Sequence, residues 1–169
     1  MKISLNVKSA IIAGIINCIA WYAVAKSLGF YSIEVYVIRN FVTLGLLFTG
    51  IFITVFLTRK NNKGFLEFNN ALKAGVVFSL ILALTLAIFN YFYYTYITPD
   101  TIEYFLSEAK KAAIAHNVKD ADLQKFLDGE RSNFSSYKLI PPVLFFGLII
   151  SLLAGAIFQK KDPHSFSAN

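Results

Sequence analysis

The sequence predicts an all-α, polytopic membrane protein with four transmembrane helices and a short amphipathic helical segment between the third and fourth. Three observations carry this. Four long apolar stretches, near 10–25, 40–58, 74–97 and 139–158, fill about half of the 169-residue chain. Each approaches the roughly 20 residues that a helix needs to cross the hydrocarbon. Charged residues make up only 15% of the chain and collect in the links between the stretches. The second, third and fourth stretches show no polar face at helical spacing, which a helix of a soluble bundle needs. The chain reads as one transmembrane domain, 1–169.

The first span is expected over 9–27. MKISLNVK followed by SAIIAGIINCIAWY has the outline of a signal peptide, with Ala23-Val24-Ala25 as a small-x-small cleavage site. The apolar run is long for that role, and Trp21 and Tyr22 suit an interfacial anchor, so an uncleaved helix is expected. Lys26 ends it by snorkelling to the headgroups, and Gly29 closes it. The link FYSIEVYV is apolar enough to lie in the interface or to extend the second span backward. That span is placed at 38–58, from Arg39 and Asn40 to Arg59 and Lys60.

Gly64 begins a turn, and Phe65 to Ala71 reads as an amphipathic lead-in resting in the interface. The third span, 74–97, ends in Tyr91, Tyr93, Tyr94 and Tyr96, expected as an aromatic girdle. Segment 98–138 is the one substantial polar piece. Asp100 with Glu103 resembles a capping box, and Ile102, Phe105, Leu106, Ala109 and Ala113 make a helical stripe. A second short helix is expected near 120–128, stopped by Gly129. Pro141-Pro142 opens the fourth span, 139–158, since proline is harmless in a first turn. The tail 162–169 is polar and expected to be flexible.

The side holding both termini and the 59–73 link carries eight Lys and Arg (positions 2, 8, 59, 60, 63, 73, 160 and 161) against two acids. The other side carries eight bases and eight acids. The positive-inside rule counts Lys and Arg near span ends. Lys119, Lys125 and Arg131 are remote from such ends, so both termini are expected in the cytoplasm of a bacterial inner membrane, with 98–138 extracytoplasmic.

Small residues let helices approach closely in lipid. Gly75, Ser79, Ala83 and Ala87 fall at four-residue spacing in the third span; Ala10 and Gly14 lie in the first, and Gly147, Ser151 and Gly155 in the fourth. Asn17 and Asn90 are the strongly polar side chains inside the apolar blocks, expected as helix-to-helix glue, with substrate contact as the competing reading. Arg39 reads as an interface anchor, with a functional arginine as its competitor.

The net charge of +6 sits beside the apolar blocks, which suits anionic lipid headgroups rather than nucleic acid. The lone Cys18 and the separated His116 and His164 make no zinc site, and no cofactor motif is present. Asp100, Glu103 and His116 are the nearest approach to an acid–base set, so an enzyme is not expected. A scaffold, accessory subunit or envelope component is the expected role, contacting lipid and either a second copy or a membrane-protein partner. A small oligomeric transporter or channel is the alternative, drawing on Asn17 and Thr85.

Residues 63–100, KGFLEFNNALKAGVVFSLILALTLAIFNYFYYTYITPD, resemble the most characteristic part of the DUF4199 family, small four-helix membrane proteins of Bacteroidota. Gly64, Phe65, Phe68, Ala71 and Lys73 fit its glycine, phenylalanine and alanine–lysine positions. The turn after the aromatic helix end reads Ile97-Thr98-Pro99-Asp100, where Thr98 departs from the family's usual acid. The resemblance implies this topology and an uncleaved first helix, and it carries no activity.

Overall fold

The structure is a computed structural model that describes residues 5–116 and 118–160. The helices are α1 (Leu5–Leu28), α2 (Ile33–Asn61), α3 (Phe68–Phe92), α4 (Asp100–Ala115), α5 (Asp120–Asn133) and α6 (Ile140–Phe158). A π-helical turn, Tyr93–Ile97, continues α3, and a 3₁₀ turn, Ser136–Leu139, leads into α6. Four segments are long and apolar enough to cross a bilayer: Asn6–Leu28, Ile33–Asn61, Phe68–Ile97 and Ser136–Phe158. The tail 162–169 lies outside the described residues.

The uncovered surface of the spans decides between a bilayer and water. Ile12, Ile19, Phe41, Ile88, Phe145 and Ile157 are each more than half exposed, and they lie on all four spans. Soluble monomers rarely expose apolar patches beyond roughly a few hundred Å². Here the outside is as apolar as the inside, so the chain is an all-α membrane protein.

Helix α3 is the hub and packs against α1, α2 and α6. Its closest approach is to α6, and small residues on both helices permit it. A Cβ on Gly147 would lie 2.5 Å from Ser79 Cβ, and one on Gly75 would lie 2.7 Å from Ser151 Cβ. One turn further, a Cβ on Gly155 would sit 3.6 Å from Ala71 Cβ. Each step of four along α3 is therefore matched by a step of four backward along α6, with a glycine facing a larger residue every time. Ser79 and Ser151 donate to the carbonyls of Gly75 and Gly147, at 2.8 and 2.5 Å, so their hydroxyls are satisfied within their own helices. Ala83 and Ala87 continue the buried face of α3. On its other side, Gly14 of α1 admits Thr85, whose Cγ2 would be 2.6 Å from an added Cβ.

The two ends of the bundle differ. At the end holding Arg59 and Lys60, Leu66 and Lys160 exchange a pair of 2.8 Å backbone hydrogen bonds, tying the α2–α3 link to the end of α6. Phe65 and Leu66 thus form a short extended crossing rather than an amphipathic lead-in, and Leu66 is buried. Gly64, with φ +88°, allows the turn there. The opposite end carries α4 and α5 as a separate lobe.

Several boundaries differ from expectation. Helix α2 begins at Ile33, because Ser32 caps it by accepting from the Glu34 amide at 3.2 Å. Helix α5 runs through Gly129 to Asn133. Asp100 is the first residue of α4, and Pro99 takes the cap position without a side-chain bond. Asp100 and Glu103 instead lie in the first turn, where negative charge suits the helix dipole. The tyrosines divide: Tyr91 and Tyr96 are exposed, whereas Tyr93 and Tyr94 are buried. Tyr93 and Tyr94, three and four residues after buried Asn90, continue the buried stripe of α3 (Phe78 and Ser79, Leu82 and Ala83, Leu86 and Ala87) into the π turn.

Candidate functional site

One group of polar and aromatic side chains meets at the lobe end of the bundle, around Arg39. Arg39 lies within α2, on the stripe Tyr36, Arg39, Asn40, Thr43 and Leu47. Its guanidinium stands 4.7 Å from the Trp21 ring centroid and 5.2 Å from that of Tyr36. Both distances are within the reach of cation–π attraction. Arg39 also donates to Asn40 Oδ1 over 3.4 Å, a long bond. Among the described residues the ion pairs are Lys111–Glu108 and Arg131–Glu103, so no carboxylate neutralises Arg39.

Its depth follows from helix geometry. Arg39 and Arg59 are 20 residues apart on one helix with no charge between them. At 1.5 Å per residue that is about 30 Å, the thickness of the hydrocarbon. The charge-free run between Arg39 and Arg59 therefore matches the hydrocarbon in thickness.

Trp21 is buried at the centre of an aromatic cluster. Its ring lies 4.5 Å from Tyr93 and 5.2 Å from Phe89. Tyr94 donates to the Tyr36 hydroxyl at 3.1 Å and meets Phe134 edge-on at 5.5 Å. Phe105 of α4 touches Tyr36 at 5.1 Å and Phe134 at 5.9 Å. The cluster thus joins α1, α2 and the π turn to both helices of the lobe. Asn90 adds a polar tie: its Nδ2 donates to Phe134 O at 3.3 Å and to Ser136 Oγ at 3.2 Å.

One turn below Trp21 and Arg39, Asn17 is 1% exposed and donates from Nδ2 to Thr43 Oγ1 at 2.9 Å. Its Oδ1 has no protein partner. Asn17 and Asn90 therefore do not bond each other; each finds a nearer group at its own depth. Above Asn17 opens a cleft of about 410 Å³ between α2 and α6, with Arg39, Leu44, Val143 and Phe146 on its walls. A smaller pocket of about 280 Å³, lined by Arg39, Asn40, Asn90, Tyr94 and Asn133, adjoins it under the lobe. Arg39 and Asn40 belong to both.

The residues nearest to an acid–base set are not brought together. Glu103 pairs with Arg131 at 2.7 Å on the lobe surface. His116 caps the far end of α4, a 16-residue helix about 24 Å long, away from Asp100. The described residues hold no cluster of three metal-ligating side chains.

The sequence model of the family described as Protein of unknown function (DUF4199) matches residues 8–160. The chain belongs to this family. No curated protein and no solved structure matches this DUF4199 member. The match spans the helices that build the site, so the Arg39 cleft and the aromatic cluster lie within the family's domain rather than in an appendage.

Proposed function

We propose that this DUF4199 protein is a non-enzymatic integral component of the bacterial cytoplasmic membrane, a rigid four-span platform that presents the α4–α5 lobe on the outer face to a partner or to the envelope. The observation that carries this is the aromatic cluster. It runs without a break from Trp21 in the bundle to Phe105 and Phe134 in the lobe. A lobe fixed to its membrane anchor in this way suits a scaffold or accessory subunit. Both termini on the cytoplasmic side is the orientation supported by the bases that flank the other end, Arg59, Lys60 and Lys63 among them. A small oligomeric transporter is the second reading, favoured by Asn17, a buried amide within the span that lines a cleft.

Cysteine accessibility tests the platform and its orientation. In a Cys18→Ala background, a membrane-impermeant maleimide applied to intact cells should label a cysteine at 116 and leave one at 63 unlabelled until the cells are opened. The reverse pattern would overturn the orientation. Solute flux in proteoliposomes that disappears on changing Asn17 or Arg39 would replace the platform by a transporter.

A further inference from the structure

The cleft and the pocket beneath the lobe form one amphipathic space, and Arg39 stands where they meet. We infer that this space is a binding site for an anionic lipid, with the acidic headgroup on Arg39 and an acyl chain in the cleft between α2 and α6. The inference does not depend on the platform reading or on which face of the membrane is external.

Four observations carry it. The first is charge. Arg39 is half-buried at the hydrocarbon boundary, is stacked on two rings and meets no carboxylate. A guanidinium at such a boundary draws its counter-charge from the headgroup layer, since the described residues offer none. The phosphates of the leaflet lie at that depth, and guanidinium is well shaped to bind them.

The second is polarity. The smaller pocket, on the headgroup side, is lined by the amides of Asn40, Asn90 and Asn133 and by Tyr94, and so offers hydrogen bonds to a headgroup. The cleft on the hydrocarbon side is walled by Leu44, Leu47, Val143 and Phe146. The order from polar to apolar runs in the direction a lipid lies.

The third is Asn17. It lines the cleft, is nine-tenths buried and more, and holds its Oδ1 unpartnered beneath the cleft wall. Thr43 follows Arg39 by one turn, so Asn17 sits about 6 Å deeper than the guanidinium. That is the depth of a lipid's backbone, where a lysolipid keeps a free glycerol hydroxyl.

The fourth is size. A space of about 410 Å³ lies within the roughly 300–1,000 Å³ typical of small-molecule pockets. It admits a headgroup base and the upper part of a chain, and the remainder of the chain passes into the bilayer along exposed Phe146.

The chain's single tryptophan lines the cleft, so binding can be read directly. The full chain in neutral maltoside micelles is titrated with lysophosphatidylglycerol while Trp21 fluorescence is followed. Lysophosphatidylcholine serves as the zwitterionic comparison, with the same glycerol hydroxyl and chain. Glycerol phosphate provides the anion without the chain. The expected result is saturable binding of the anionic lipid, several-fold tighter than the zwitterionic one, because choline's own positive charge opposes its phosphate beside Arg39. Arg39→Gln should remove most of that preference. Leu44→Phe keeps the arginine and fills the cleft wall, so it should weaken both lipids about equally; it serves as the test if Arg39→Gln does not fold. Equal binding of the two lipids, or an unchanged preference in Arg39→Gln, would overturn the inference. So would unchanged binding in Leu44→Phe. Saturation by glycerol phosphate alone would show a site for a soluble anion and reject the lipid.

Discussion

Replacing Gly147 by alanine should weaken the bundle, although alanine is the better helix former by about 1 kcal/mol. The added Cβ would lie 2.5 Å from Ser79 Cβ, where ordinary contact is 3.4–4 Å. Helices α3 and α6 must then part by about 1 Å at their closest point, and overpacking of this kind costs roughly 1–3 kcal/mol. The net effect is a loss of about 1 kcal/mol. Ser79→Gly empties the same space from the other side. The pair should therefore couple: Gly147→Ala with Ser79→Gly should be about 2 kcal/mol more stable than the two single effects added together. Gly45 supplies the control, because nothing lies within 4 Å of a Cβ built there. Gly45→Ala should stabilise by up to about 1 kcal/mol. Reversible unfolding in mixed micelles, followed by Trp21 fluorescence, measures all four variants. Additivity within about 0.5 kcal/mol would refute the antiparallel register described for α3 and α6.

Two further outcomes follow from the lobe end. Thr101 Oγ1 is fully buried without a hydrogen-bond partner, so the isosteric Thr101→Val should raise stability by about 1 kcal/mol in the same unfolding assay; destabilisation would show that the hydroxyl has a partner. Asn90→Leu removes both ties from α3 to the α5–α6 link, and limited proteolysis should then cut near 134–139 several times faster while the spans stay protected.

The spans were legible because length and hydropathy suffice to reveal them, and every expected span overlaps a helix of the bundle. What escaped was local. For residues 33–37 the sequence leaves two readings open, an interfacial link or a backward extension of the second span; the extension is the one observed, and Ser32, two residues before Glu34, is its capping signal. Gly129 reads as a stop, but a glycine within an amphipathic helix is tolerated at about 1 kcal/mol when the flanking turns hold. The tyrosines read as a belt because they cluster at the end of an apolar span, although 93 and 94 extend the buried stripe of α3 in helical register and only 91 and 96 fall off it. At the site, Arg39, Asn17 and Asn90 were identifiable as polar groups out of place, but their partners were not. Thr43 and Tyr36 could have been found from the stripe at 36, 39, 40 and 43, which is polar where a lipid-facing helix would be apolar. Trp21 reads as an anchor from its position at a span end, and only the packing of α1 against the π turn shows it buried.

The placement of the bundle in the bilayer supports both the platform and the lipid site, and the depth of Trp21 measures it directly. In vesicles containing lipids with a nitroxide at a known position, Trp21 fluorescence should be quenched most by a label near the headgroup and the first chain carbons. A label at the chain end should quench weakly. Strongest quenching by the chain-end label would put Trp21 and Arg39 at the bilayer centre, and would contradict the boundary set by Arg39 and Arg59.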